Sequence, residues 1–337
     1  ALPPVLAHYM PWFQYDVNSK RAGWHWTMGR VNPFDEKGSV AAHIKPMIGP
    51  YDSRDSRVVR YHLELMRLCG IAGVIVNWYG TRRAKDFPPN LQGADCMIRE
   101  CSRSGMLFTV CYEDWTTVDG ASASGGVHLT GESLAAAREQ LRLDFEYIRD
   151  NYMSQPGFLR TSGHGSTGRP LVLVFGPRLI KDTREWDDVL ERVFAREADR
   201  PVLVFMPHAR AHPGGGHFSW FPPLKPQCSL QGVHKYLSDF YAREMPVKVG
   251  SIFCAFRDFY SEGSGGKMQS YGCLPEYDGH TAEASIHRAK IHQPDFVQLC
   301  TWNDWQEGTA FEPSHEKGFY YLLKLQQHIL GRRDEAA

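Results

Sequence analysis

Short apolar runs rich in β-branched and aromatic residues recur along the chain, at residues 5–10, 71–79, 106–112, 171–175, 202–206, 251–256 and 296–301. A shorter run at residues 217–221 supplies an eighth. Runs of this length with little internal polarity suit strands of a parallel sheet covered on both faces. Between them the apolar spacing turns helical, most clearly over residues 54–68, 133–152, 185–197, 234–244 and 282–292. In the first of these, Ser53 is placed to cap the helix and Asp55 falls in its first turn. Val58, Val59, Tyr61, Leu65, Met66 and Leu68 then return at nearly helical intervals until Gly70 breaks the pattern and Ile71 opens the next strand.

Strand alternating with helix from end to end predicts an α/β fold with a parallel sheet, either closed or open. Closure is favoured: the first strand lacks a GxGxxG turn, and five strands instead end in HYMPW, NWYG, CYEDW, FRDFY and TWNDW. In a (β/α)8 TIM barrel such endings converge on one face and build one pocket there, so a single barrel domain with extended βα loops is expected over residues 1–337. No repeat of 20–50 residues and no low-complexity tract interrupts the alternation.

Charge narrows the ligand. Lys plus Arg number 38 and so do Asp plus Glu, which leaves no global field to recruit nucleic acid or an anionic membrane. No apolar run approaches the length of a membrane span. Nine Trp, fifteen Tyr and eighteen Phe, many beside Gly, Pro, Asn or Asp, suit stacking on sugar faces as well as core packing. Of the eight Cys, Cys69, Cys111, Cys254 and Cys300 lie in apolar stretches. Cys228 with Cys273, and Cys96 with Cys101, are the pairs that disulfides would join, so the redox compartment stays open.

The chemistry concentrates in Trp302-Asn303-Asp304-Trp305-Gln306-Glu307-Gly308, directly after the last apolar run. Asp304 and Glu307 there form the two-carboxylate set that glycoside cleavage uses, one protonated to donate to the leaving oxygen and one ionised to act as base or nucleophile. The alternative is a helix-capping Asp with a solvated Glu beside it. WNDWQEGTAFEP resembles the glycoside hydrolase family 99 pattern NEWHEGTQIEP, and the stretch GPYDSRDSRVVRYHLELMRLCGIAGVIVNWYG and the opening HYMPWF resemble that family as well. Asp304 stands where family 99 has Glu, and WND followed by Glu resembles instead family 71, the α-1,3-glucanases.

Resemblance to family 99, the endo-α-mannosidases, implies that Asp304 deprotonates the sugar 2-hydroxyl, giving a 1,2-anhydro sugar, and that Glu307 protonates the leaving group and then activates water, with net retention. Resemblance to family 71 implies that Asp304 activates water directly, with inversion; Asp is one methylene shorter than Glu and leaves more room for that water. Both imply an endo-acting hydrolase of an α-linked mannan, glucan or related glycan, with no cofactor and no metal.

Other strand endings supply candidate sugar contacts: His8, Tyr9 and Trp12; Asn77, Trp78 and Tyr79; Glu113 and Asp114; Arg257, Asp258 and Tyr260; and Trp302 and Asn303 beside the carboxylates. Salt bridges at the barrel rim are the competing reading for Glu113, Asp114, Arg257 and Asp258. The glycine-rich SEGSGGKMQSYG suggests a lid presenting Tyr271. His208, His212 and His217 are spaced four and five apart, but Pro213 and three glycines break any helix that would aim them at one metal, so glycan contact is the better reading. Rival functions are an exo-acting glycosidase whose pocket is closed by residues 120–126 or 214–216, a carbohydrate-binding barrel without catalysis, and a metal-dependent esterase. A glycan polymer as substrate implies a secreted or periplasmic protein.

Overall fold

The computed structural model describes residues 1–121, 127–161, 168–225 and 227–331. Eight parallel strands close into a barrel: β1 Val5–Tyr9, β2 Gly73–Trp78, β3 Leu107–Tyr112, β4 Leu171–Val174, β5 Val202–Phe205, β6 Gly216–Phe218, β7 Val247–Ile252 and β8 Phe296–Leu299. Each pairs with its sequence neighbour, and β1 closes the ring by pairing with β8 through Val5 and Val297 and with β2 through Leu6 and Gly73. The short eighth run therefore does form a strand, over fewer residues than 217–221. Gly216 opens it, so residues 214–216 enter the barrel at the end away from the strand C-termini and close no pocket there.

Around the barrel lie α1 Ser56–Leu68, α2 Phe87–Ser104, α3 Gly131–Ile148, α4 Thr183–Val193, α5 Leu230–Tyr241, α6 His280–His292 and α7 Tyr320–Leu330. Only a turn-rich loop joins β5 to β6. The α1 cap is Asp55, whose carboxylate accepts from the Arg57 N–H at 2.9 Å. Ser53 is buried instead, its hydroxyl accepting from the Phe13 N–H, because the loop that precedes the helix pairs with the segment after β1. Helices α2 and α7 are absent from the helical stretches that stand out in sequence: Pro88 and Pro89 open α2, where missing N–H groups cost nothing, and read as a loop.

Two apolar layers result from the period-two alternation of the strands. Leu6, Ile75, Cys111, Leu173, Val204 and Val249 fill the barrel interior. Val5, Ala7, Val74, Val76, Val110 and Val172 face outward against the helices. All eight cysteines are free thiols, so neither Cys228 with Cys273 nor Cys96 with Cys101 is bridged; Cys101 Sγ contacts Met97 Sδ, one turn before it on α2. No described helix is long and apolar enough to cross a membrane.

Candidate active site

The alternation that sorts the core also sorts the strand ends. On β1, His8 follows Leu6 inward while Tyr9 follows Ala7 outward; beyond β2, Asn77 and Tyr79 follow Ile75 inward while Trp78 points out; past β3, Glu113 follows Cys111 inward. The inward set, with the loop after β8, lines a cleft of about 1010 Å³ at the C-terminal end of the barrel. His8, Trp12, Asn77, Tyr79, Glu113, Tyr260, Tyr271, Asp304 and Glu307 all line it, nine of the sixteen expected site residues.

Asp304 is buried and Glu307 half-buried. The Glu307 N–H donates to Asp304 Oδ1 at 3.1 Å, and the Tyr260 hydroxyl donates to Glu307 Oε1 at 3.1 Å. The loop that carries them is zippered to the segment after β7 by Arg257 N–H to Glu307 O and Phe259 N–H to Gln306 O. Gly308 makes that approach possible, since its φ of +64° is left-handed and a Cβ would sit 2.7 Å from the Arg257 carbonyl oxygen. Burial pushes the Asp304 carboxyl up to about 7, and the charges of Glu113 and Asp258 push the same way. Glu307 is raised well above the usual carboxylate range by burial and by the Asp304 charge. Two neighbouring acids that are both raised are equipped to hold one proton between them near neutral pH.

Neutral donors surround the pair. His8 Nδ1 lies 3.1 Å from Gln298 Oε1, and Gln298 Nε2 is committed to the Ser219 carbonyl, so Nδ1 carries the proton and Nε2 presents a buried lone pair. Burial lowers His8 to about 4, which keeps the ring neutral. Glu113 accepts from Asn77 Nδ2 at 2.9 Å and from Trp115 Nε1, yet burial still raises it. Trp12 lies flat against His25, ring centroids 4.2 Å apart, and His25 in turn contacts Gln306 at 2.8 Å and Asp86 at 3.4 Å.

Seven expected site residues lie off the cleft. Tyr9 and Trp78 point outward from their strands; Trp78 Nε1 donates to the Tyr152 hydroxyl, and Tyr9 packs beside His62. Asp114 accepts three backbone N–H groups, from Arg178, Leu179 and Ile180, and so fixes the loop after β4. Asp258 likewise holds Tyr260, Ser270 and Tyr271. Arg257 is exposed. Trp302 is buried beside His62, and Asn303 pairs both ways with the Met10 backbone.

Asn303 also donates to the Tyr51 hydroxyl, which donates to Glu312 Oε2 at 2.8 Å; Glu312 Oε1 lies 3.1 Å from His62 Nε2 on α1. This buried network anchors the loop after β8 from behind. Of the loop histidines, His212 pairs with Asp187 and His217 with the Ala209 carbonyl, so both turn from the cleft, and only His208 lines an adjoining groove. No cluster able to hold a metal occurs among the described residues. Residues 122–126 of the candidate closing loop at 120–126 lie outside the described residues. Trp24, Trp115, Trp220 and Arg178 also line the cleft without having been singled out as site residues; Trp115 and Trp220 lie within or beside apolar runs, whereas Trp24 sits on a short helix after β1 and Arg178 on the loop after β4.

No protein-family model matches the chain. Over 331 residues it is 23% identical to the glycoprotein endo-alpha-1,2-mannosidase of Rattus norvegicus, covering 93% of this chain and 63% of that protein. The Xenopus laevis protein of the same name is 23% identical over 328 residues, with 93% and 65% covered. The chain thus spans a little under two thirds of the length of these relatives. In fold it is similar to the GH99 endo-alpha-mannosidase of Bacteroides thetaiotaomicron, with a TM-score of 0.68 at 16% identity over 99% of this chain and 98% of that one. Over nearly its whole length the chain is thus similar in sequence to endo-alpha-1,2-mannosidases, and in fold to a GH99 endo-alpha-mannosidase barrel.

Proposed function

We propose that the chain is a glycoside hydrolase that cleaves α-glycosidic bonds inside a mannan, glucan or related glycan, with residues 1–337 acting as one catalytic domain. The observation that carries this reading is the Asp304 and Glu307 pair in one cleft, both raised by burial and by neighbouring acids. The printed names of the relatives, endo-alpha-1,2-mannosidases, support the α-mannosidic bond among the candidate linkages.

Glu307, raised by burial and by the Asp304 charge, takes the acid role that the family 99 resemblance gives its position and donates its proton to the departing glycosidic oxygen. Asp304 is the base. One of its oxygens accepts the Glu307 N–H, which fixes its direction and leaves the other to take a proton from water or from the sugar 2-hydroxyl. The first route inverts the anomeric centre. The second closes a 1,2-anhydro sugar that water, activated by the Glu307 carboxylate, reopens with retention. His8 Nε2 is an acceptor for a sugar hydroxyl, and Trp12 presents an aromatic surface to the ring. Because polymeric glycans are met outside the cytoplasm, a secreted or periplasmic site of action fits this substrate.

The test is product release from α-mannans, α-glucans and aryl α-glycosides by wild type, Asp304→Asn and Glu307→Gln, with the first-formed anomer read by NMR. Loss of turnover of the α-glycans in both folded variants is the expected result. Activity on the α-glycans that survives in either variant removes the pair from the chemistry.

A further inference from the structure

Arg178, on the loop after β4, faces both the cleft and a second groove of about 930 Å³. Its backbone is held by the buried Asp114 carboxylate, which accepts the Arg178 N–H at 2.8 Å and the Leu179 and Ile180 N–H groups at 2.7 and 2.8 Å. Its guanidinium rests over the Phe175 ring at 5.1 Å. Glu113 and Asp114 act on that guanidinium only from beyond ion-pair distance, and its Nε is buried without a hydrogen-bond partner. A fixed guanidinium left with open donors is a ready receptor for a planar or tetrahedral anion.

The groove repeats the theme. Lys181, Arg210, His128 and His208 line it, all exposed. The two acids in its wall are already engaged, Asp182 by Arg184 at 2.6 Å and Glu185 by Arg138 at 2.9 Å. With 38 basic and 38 acidic residues in the whole chain, this excess is local. The opposite holds beside Asp304 and Glu307, where Glu113 and Asp258 add negative charge and an anion would be repelled. An acidic group on the substrate is therefore drawn away from the carboxylates toward the cations of the cleft wall, Lys85 and Arg178, and of these two Arg178 also opens onto the cationic groove.

We propose that the cleft takes a glycan carrying an anionic substituent, a carboxylate, sulfate or phosphate, which is seated on the Arg178 guanidinium where the cleft meets the cationic groove. This names a substrate class within the glycosidase reading and rests on it. Its test reads binding, so either idea can fail alone.

Methyl α-mannoside, its 6-sulfate, its 6-phosphate and methyl α-glucuronide are titrated by NMR into wild type, Arg178→Gln and Arg178→Lys. At least one acidic probe is expected to bind about tenfold more tightly than the neutral mannoside, a gain typical of one charge-assisted hydrogen-bonded contact. Which probe gains tells carboxylate, sulfate and phosphate apart. Arg178→Gln should abolish the preference and Arg178→Lys keep part of it, both with the thermal stability of wild type, because Asp114 grips only the backbone. No acidic probe outbinding the neutral one, or a preference that persists in Arg178→Gln, overturns the proposal.

Discussion

Two sets of buried polar groups meet at the loop after β8, and they are built on opposite terms. Behind the loop, the carboxylate of Glu312 has a histidine 3.1 Å away and a tyrosine donor at 2.8 Å, and Tyr51 receives hydrogen bonds from Asn303 and Trp305 as well. In front of it, Asp304, Glu307 and Glu113 share a cleft in which their hydrogen-bond donors are neutral: a backbone N–H, a tyrosine, an asparagine and a tryptophan. A buried carboxylate held between fixed partners resists movement, whereas buried carboxylates crowded against one another have their protons held high and ready to transfer. The rear network sets geometry; the front cluster stores the electrostatic strain that acid and base chemistry uses.

The largest effects should come from the front. Glu307→Gln is expected to lower kcat about a thousandfold on a natural glycan, and far less on a dinitrophenyl glycoside whose leaving group needs no proton. Asp304→Asn should depress both substrates alike, since the base is needed whatever leaves. Steady-state kinetics on the two substrates separate the roles, and equal rescue of both variants would reverse or abolish the assignment.

Next in size is the rear. His62→Ala removes the imidazole that fills the space beside Glu312 in a site with no solvent access, leaving a cavity and a buried polar partner unsatisfied, and should destabilise the fold by about 3–5 kcal/mol in denaturant titration. A loss below about 1 kcal/mol would mean that the network contributes little to holding the loop.

A smaller effect of opposite sign follows from the strain itself. The Asp304 carboxyl is raised from 3.8 to about 7, so the folded state binds a proton that the unfolded chain has lost across that window. Stability from this group is therefore fully present below pH 3.8 and declines as pH rises to about 7. Asp304→Asn should raise the unfolding free energy at pH 8 by on the order of 1–2 kcal/mol, read as a higher melting temperature, and bring no gain at acid pH. An identical shift at both pH values would show that the carboxyl is not strained.

The smallest change is expected from Tyr260→Phe. Its hydroxyl stabilises ionised Glu307 through the 3.1 Å hydrogen bond, so removing it lifts Glu307 further and moves the alkaline limb of the pH profile upward by about one unit or less. Turnover at neutral pH should fall by about tenfold at most.

The division between the regions also marks what the sequence made legible. Seven strands and the acidic loop after the last of them stand out because each is a local signal, an apolar run followed by polar residues. Within the strand ends, the period-two rule separates His8, Asn77 and Glu113 from Tyr9, Trp78 and Asp114; treating each ending as a block merged residues that point to opposite sides of the barrel wall. The rear network could not be read, because His62 and Glu312 are 250 positions apart and only barrel closure joins them. Helix α2 was hidden by its own starting prolines. Trp24 and His25 reach the cleft from a one-turn helix after β1, and Arg178 from a loop whose course depends on tertiary hydrogen bonds to Asp114; neither leaves a local pattern.

The most direct test of the strained pair is the pH dependence of kcat/KM for the wild-type protein on an α-linked oligosaccharide. A bell is predicted, its acid limb near pH 7 from the proton leaving Asp304 and its alkaline limb higher, where Glu307 loses the proton that the leaving group requires. Activity that holds level below pH 5, or a profile without an alkaline limb, would contradict the account.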